Sequence, residues 1–230
     1  PDKEQKEGKI ELKPGMNIFN WDMRYTGADG FDGMILWWAS LNGPKAVPGE
    51  YSVRLTTGST SNTQDFNILK DPRSSSSIAH LQEQFDFLNE VIVKLSETNN
   101  AIKSIRAARE QINLIVSRMG EDEHADVKEK SKEILNAMKA VEEALYQTKN
   151  RSGQDPLNFP IRLNNKLGHL NSLMAMGDFK PTEQAIEFKV EVTQLIDNEL
   201  KKWNDIKNTE IPAFNSLIKS KNIDAIMIND

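Results

Sequence analysis

Few side chains in this chain stand at the spacings that chemistry requires. The three histidines, His80, His124 and His169, lie far apart, and none belongs to a His-Glu-x-x-His pair. His124 closes the run Glu121-Asp122-Glu123-His124. That run could hold a cation at the surface, but it equally suits the solvated first turn of a helix, where acids complement the dipole. Asp29-Gly30-Phe31-Asp32-Gly33 hints at a cation loop without the calcium-loop spacing, and Asp-Gly pairs are ordinary turn chemistry. Asp22 and Arg24 stand two residues apart. On a strand they share a face and can form an ion pair, or contribute to a site completed elsewhere. Trp37 and Trp38 are adjacent, so an extended backbone sends them to opposite faces. One can fill a core while the other stays exposed, where it can stack on a sugar ring or dock a partner; equally, both can cover the sheet or the helices. Trp37, Trp38, Asp22 and Arg24 are therefore the candidate ligand-binding residues. No catalytic residue, metal site or cofactor is expected, since no nucleophile elbow, P-loop or dinucleotide fingerprint is present.

The elements that must position these residues come from two kinds of chain. The protein has 230 residues, with 29 Lys plus Arg against 34 Asp plus Glu and no cysteine. Disulfides, thiolate chemistry and sulfur-based zinc sites are excluded. A net charge of -5 argues against a nucleic-acid partner. No run of about 18 apolar residues is present that could span a membrane. The first 72 residues hold 8 of the 12 glycines, 5 of the 9 prolines and 8 of the 16 aromatics. Strands followed by helices are the expected architecture: an α+β chain with a β module over 1–72 and a helical module over 73–230. The chain opens on Pro1 with no signal-peptide pattern and reads as a piece of a longer protein.

In the β module, strands are expected at Lys9–Leu12, Ile18–Tyr25, Glu50–Thr57 and Asn62–Leu69. Period-two alternation puts Phe19, Trp21, Met23 and Tyr25 on one face and Asn20, Asp22 and Arg24 on the other. Tyr51, Val53 and Leu55 alternate with Ser52, Arg54 and Thr56. A sandwich domain usually has about seven strands in about 100 residues, so four strands describe an antiparallel, incomplete one. Its cut edge would leave backbone groups unpaired, to be covered by the long connection Thr26–Val47 or by another chain.

From Ile78 the apolar spacing changes to three and four. A serine run, Ser74–Ser77, precedes it as a cap. A helix over 75–119, ending before Gly120, would be about 68 Å long, a length that implies bundle or coiled-coil packing. Asn99 falls on its apolar seam, either fixing register or marking a break near Glu97–Asn100. Further helices are expected at Glu121–Lys149, at Leu163 to about Gly177, and from Pro181 along the seam Ile186, Val190, Thr193, Ile196, Leu200 and Trp203. Ile211-Pro212 should restart the chain for a short last helix, Ala213–Lys219. Short links favour an antiparallel bundle of about four long helices. Such a bundle can offer a groove to a protein partner or a second copy.

The β module also carries an ordered set of motifs: Lys13-Pro14-Gly15-Met16-Asn17, Trp21-Asp22-Met23-Arg24-Tyr25, Gly43-Pro44, Val47-Pro48-Gly49-Glu50-Tyr51-Ser52-Val53-Arg54-Leu55 and Lys70-Asp71-Pro72-Arg73. With Leu81-Gln82-Glu83-Gln84-Phe85-Asp86 and Ile211-Pro212-Ala213-Phe214-Asn215, this order resembles the C-terminal region of bacterial sortilin-like, BNR-repeat (Asp-box) glycosyl-hydrolase-like proteins. The resemblance implies an immunoglobulin-like domain followed by helices, placed after a β-propeller in an exported parent that is periplasmic, cell-surface or secreted. No Asp-box repeat of the Ser-x-Asp-x-Gly-x-Thr-Trp type stands here, so glycosidase residues would lie upstream. Three roles follow as expectations. The chain is a non-catalytic accessory module for packing, spacing or protein interaction, a carbohydrate-binding module using Trp37 or Trp38, or a contributor, through Asp22, Arg24 or the glycine-rich connection, to an active site completed by the propeller.

Overall fold

The computed structural model describes residues 13–120 and 123–223. The strand expected at Lys9–Leu12, the acids Glu121 and Asp122, and the residues after 223 lie outside them. The fold is α+β. Two antiparallel strands, β1 (Gly49–Thr57) and β2 (Thr60–Ile68), form a hairpin closed by Gly58-Ser59, with Tyr51 opposite Phe66 and Val53 opposite Gln64. Five helices follow: α1 (Ile78–Ser117), α2 (Ala125–Leu145), α3 (Leu163–Met174), α4 (Glu183–Asp205) and α5 (Ile211–Ser220).

The helices share one core. Leu95, Ile102 and Ile105 of α1 bury with Val127, Ile134, Met138 and Leu145 of α2, Leu167 of α3, Ile196 of α4 and Phe214 of α5. Ser77 caps α1 by accepting the His80 N–H at 3.1 Å. Thr182 caps α4 by accepting the Ala185 N–H at 3.2 Å, so α4 begins after Pro181. The expected seam of α4 is half right. Ile196, Leu200 and Trp203 are buried, but Val190 is 61% exposed and Ala185 and Val192 are buried instead. That inward row, 185–192–196–203, keeps helical period, whereas Ile186 and Val190 lie on its flank. The chain does not break at Ile211-Pro212. A widened π turn, Ile206–Glu210, carries α4 into α5. Proline lacks an N–H and its ring crowds the carbonyl four residues earlier; a wider turn relieves both.

The alternation over Ile18–Tyr25 does not become a strand. Among the described residues only Arg24 of this run bridges, to Lys45, and Ile18, Phe19 and Met23 are exposed. Period two describes a strand only where a neighbour supplies the ladder, and the hairpin sits elsewhere. Its end is fixed by the connection that follows. The Tyr25 N–H donates to Pro44 O at 2.9 Å, the Ala46 N–H to Met23 O at 2.7 Å, and the Ala28 N–H to Leu41 O at 2.7 Å. Residues 26–44 therefore form a closed loop, a strap, with both ends pinned together. The approach is so close that a Cβ on Gly43 would stand 2.0 Å from Tyr25 O.

The strap lies on the helices. Ala28, Phe31, Met34, Leu36 and Leu41 pack against the helical core. The hairpin projects, tied on by aromatics. Trp21 meets Tyr51 at 6.1 Å and Phe66 at 6.4 Å between ring centroids, and Tyr25 meets Phe85 of α1 edge-on at 4.8 Å. The Tyr51 hydroxyl donates to Val47 O at 2.7 Å. Burial, followed by the neighbouring Tyr25, raises its pKa above the ordinary phenol value, which keeps it a donor.

Asn99 explains why α1 runs unbroken. It is fully buried, and its Nδ2 donates to Asp29 O of the strap at 2.8 Å while its Oδ1 accepts from Asn164 Nδ2 at 3.2 Å. Asn99→Leu should therefore destabilise the chain by about 1–3 kcal/mol in urea denaturation, because a strap carbonyl loses its donor. A gain in stability, as expected for an apolar residue on a simple coiled-coil seam, would refute this role.

Candidate functional site

The strap's main chain is gripped by side chains from α1, α2 and α3. From α1, Ser96 Oγ accepts the Asp29 N–H at 3.0 Å and Asn100 Nδ2 donates to the Asp29 carboxylate at 2.9 Å. Asp29 is thus engaged by the helix rather than open to a cation. Just past α2, the Tyr146 hydroxyl accepts the Ile35 N–H at 3.0 Å, and its ring meets Phe31 edge-on at 5.0 Å. Arg106 lies over both rings, at 4.5 Å from Phe31 and 5.4 Å from Tyr146, and donates to the buried carboxylate of Glu142, which also binds Arg109. From α3, Asn165 forms a two-way clamp on Trp37. Its Oδ1 accepts the Trp37 N–H at 2.6 Å and its Nδ2 donates to Trp37 O at 2.9 Å. Asn171 Nδ2 donates to Ser40 O and Asn42 O, each at 3.0 Å, and the Ser40 N–H donates to Gly168 O at 3.1 Å.

These clamps place the two tryptophans. Residues 37 and 40 are both fixed to α3, which leaves Trp38 and Ala39 to span the gap. Ala39 turns inward onto Gly168, where an added Cβ would stand 3.0 Å from the Ala39 Cβ. Trp38 turns outward in the left-handed region (φ 51°) and is 68% exposed. Trp37 is half-buried beside it, with ring centroids 6.4 Å apart and planes inclined by 45°. The division between one inner and one outer tryptophan follows from this kink, not from a strand. A left-handed bulky residue costs about 1–3 kcal/mol, so the clamps hold Trp38 against a local preference.

Asp22 and Arg24 do not pair with each other through their side chains. Asp22 Oδ1 accepts the Arg24 N–H at 2.9 Å, and Arg24 Nη1 donates to Gly43 O at 3.0 Å. Both brace the closed end of the strap, away from the Asn165 clamp. No group of three or more His, Asp or Glu residues able to hold a metal occurs among the described residues. The Glu121–His124 run is only partly described, and His124 takes a left-handed conformation just before α2. Among the described residues, no helix is long and apolar enough to cross a membrane.

The residues that sequence reading missed are the asparagines Asn164, Asn165 and Asn171 with Gly168; Asn99 stood out on the seam of α1, but not as a donor to the strap. Their signal was present. Leu163-Asn164-Asn165-Lys166-Leu167-Gly168-His169-Leu170-Asn171 sets weak helix formers within an otherwise regular helical stretch. Polar residues at inward positions need partners; the strap's backbone supplies them to Asn99, Asn165 and the Asn171 Nδ2, and Asn164 donates to Asn99.

No family model, curated protein or solved structure matches the chain.

Replacing Trp38 by glycine should hold or raise stability, by up to about 1 kcal/mol in urea denaturation, since the exposed ring contributes little packing and glycine accepts the left-handed backbone. Gly168→Leu should lower stability by about 1–3 kcal/mol by displacing Ala39 from α3. Opposite signs for the two would show the strap's seating to be wrong.

Proposed function

We propose that the chain is a non-catalytic accessory module of a larger exported protein, with the hairpin as its docking arm and the bundle as its rigid base. The observation that carries this reading is the face of the hairpin. Tyr51, Val53, Leu55 and Phe66 share it, and Val53 and Leu55 are 53% and 61% exposed. The opposite face is polar, with Glu50, Ser52, Arg54, Thr63 and Asp65. An amphipathic two-stranded ribbon is marginal alone and gains stability when a further sheet or strand covers its apolar face. The resemblance to sortilin-like, BNR-repeat proteins supplies the proposed cover: immunoglobulin-like strands and a β-propeller earlier in the parent. In this reading the activity of the parent resides upstream, and the bundle sets spacing or meets a partner.

A second reading, carbohydrate recognition at Trp38, is favoured by that ring's outward placement. The structure offers less to the third, a contribution of Asp22 and Arg24 to a glycosidase site, because both side chains already bind local backbone.

Val53→Lys with Leu55→Lys should leave the urea midpoint of the isolated chain within about 0.5 kcal/mol of wild type, as expected for exposed positions. In the parent, the same pair should expose the hairpin to limited proteolysis. Equal protease resistance of wild-type and substituted parent would sink the docking arm. Deleting residues 1–230 from the parent should leave turnover of its substrate intact; loss of turnover in a still-folded remainder would favour the active-site role.

A further inference from the structure

We propose that β1 pairs edge to edge with β1 of a second copy of this chain, antiparallel about Ser52, so that two hairpins form one four-stranded sheet. This pairing uses the edge of β1, whereas the docking arm uses the apolar face, and it goes beyond that reading.

The free edge follows from the turn. A two-residue turn is closed by a hydrogen-bonded pair, here Thr57 and Thr60 around Gly58-Ser59. Along an antiparallel ladder, opposed pairs alternate between bonded and non-bonded. The odd-numbered residues of β1 therefore direct their N–H and C=O groups to β2, and those of Glu50, Ser52, Arg54 and Thr56 point away from it. Among the described residues nothing takes these outward groups up: the sheet has two strands, and no loop backbone bonds to them. The nine residues of β1 pair one to one with β2, so the strand has no bulge, and it contains neither proline nor lysine. Bulges, prolines and lysines are the usual devices that keep an edge from pairing with another chain.

The sequence of β1 selects a second copy as the partner. With Ser52 opposite the partner's Ser52, Glu50 faces the partner's Arg54 and Arg54 faces the partner's Glu50, all on the polar face. Within one copy these two charges are four residues apart, about 13 Å along the strand, too far to pair. Glu50 has no ion-pair partner among the described residues, and Arg54 makes one hydrogen bond, from Nε to Thr63 Oγ1 at 3.4 Å. On the apolar face Tyr51 meets the partner's Val53, and Val53 meets the partner's Tyr51. These are non-hydrogen-bonded positions, where side chains come closest, and Leu55 covers the partner's Gly49. Aromatic with β-branched and acid with base are favourable cross-strand pairs. The twofold axis stands perpendicular to the sheet at Ser52, so the apolar faces of both hairpins lie on one side. β2 offers no such match. Its single charged residue, Asp65, would face itself or a neutral side chain in any symmetric pairing of β2 with β2.

The test is sedimentation velocity on the full chain, joined to hydrogen exchange at β1. The chain should pass from monomer to dimer between about 1 and 200 µM, and the Ser52 and Arg54 amides should gain protection over the same range. Arg54→Glu sets two like-charged pairs across the axis and should weaken the dimer about tenfold or more. Glu50→Arg with Arg54→Glu restores both pairs in exchanged order and should return the dissociation constant to within about threefold of wild type. Ser52→Pro removes an outward N–H and none that β2 uses, so it should abolish the dimer with the hairpin intact. Because the chain has no cysteine, pyrene attached at Ser52→Cys should give excimer fluorescence, and pyrene attached at Thr63→Cys, on the far edge of β2, should not. Circular dichroism and the urea midpoint establish that each variant is folded. A chain that stays monomeric through this range, or a dimer indifferent to Ser52→Pro or to the charge variants, would overturn the inference. So would excimer emission from position 63 in place of 52, or protection of β1 that does not change with concentration, as when a strand of the same chain fills the edge. None of these outcomes touches the docking arm, which is read by proteolysis of the parent.

Discussion

The structure depends on how one irregular segment satisfies its backbone. The strap over 26–44 is half-buried against three helices, where peptide N–H and C=O groups must find partners. It has no strand beside it to form a ladder. The helices answer with side chains that carry both a donor and an acceptor: asparagine amides at 99, 165 and 171 and hydroxyls at Ser96 and Tyr146. A leucine at any of the three asparagine positions would pack well and leave a strap carbonyl without a donor. The choice of polar residues on inward faces therefore follows from the irregularity of what they cover.

The same constraint sets the shape at both ends of the strap. At its closed end, backbone meets backbone so closely that Gly43 has no alternative, and Arg24 adds a guanidinium donor to the Gly43 carbonyl. At the α3 end, fixing residues 37 and 40 leaves too little chain to place both intervening side chains inward. The smaller one, Ala39, takes the space over Gly168, and Trp38 is turned out. An exposed tryptophan in a left-handed conformation is thus a consequence of two well-made clamps, and the strain at one residue is offset by hydrogen bonds at its neighbours.

Regular elements were legible in the sequence where the local pattern and its neighbour agree. The strands expected at Glu50–Thr57 and Asn62–Leu69 were readable to within two residues, and α1 was readable because its spacing of three and four resumes beyond Asn99. The Ile18–Tyr25 run shows the limit. Its alternation is as clear as that of β1, yet it has a single bridge, because its neighbour in space is the returning strap and not a strand. Asn99 was visible as an anomaly on the seam, but neither register nor breakage describes it. Its partner, Asp29, is a backbone carbonyl 70 residues away, and backbone groups leave no trace in a sequence. The clamp asparagines escaped for the same reason, and the seam of α4 drifted because Ile186 and Val190 are apolar but lie beside the buried row.

The two exposed features, the hairpin face and Trp38, differ in the physics that leaves them open. The hairpin face is open at Val53 and Leu55 because Trp21 reaches only Tyr51 and Phe66; a broad, regular surface such as another sheet suits alternating side chains on both strands. Trp38 is open because its backbone is forced outward at one point, between two clamped residues. A sheet laid over a single projecting indole would meet a knob. In the carbohydrate reading, a small ring meets the indole by stacking and needs no surface beyond it. The two features therefore ask for different occupants, and both can be filled in the same molecule.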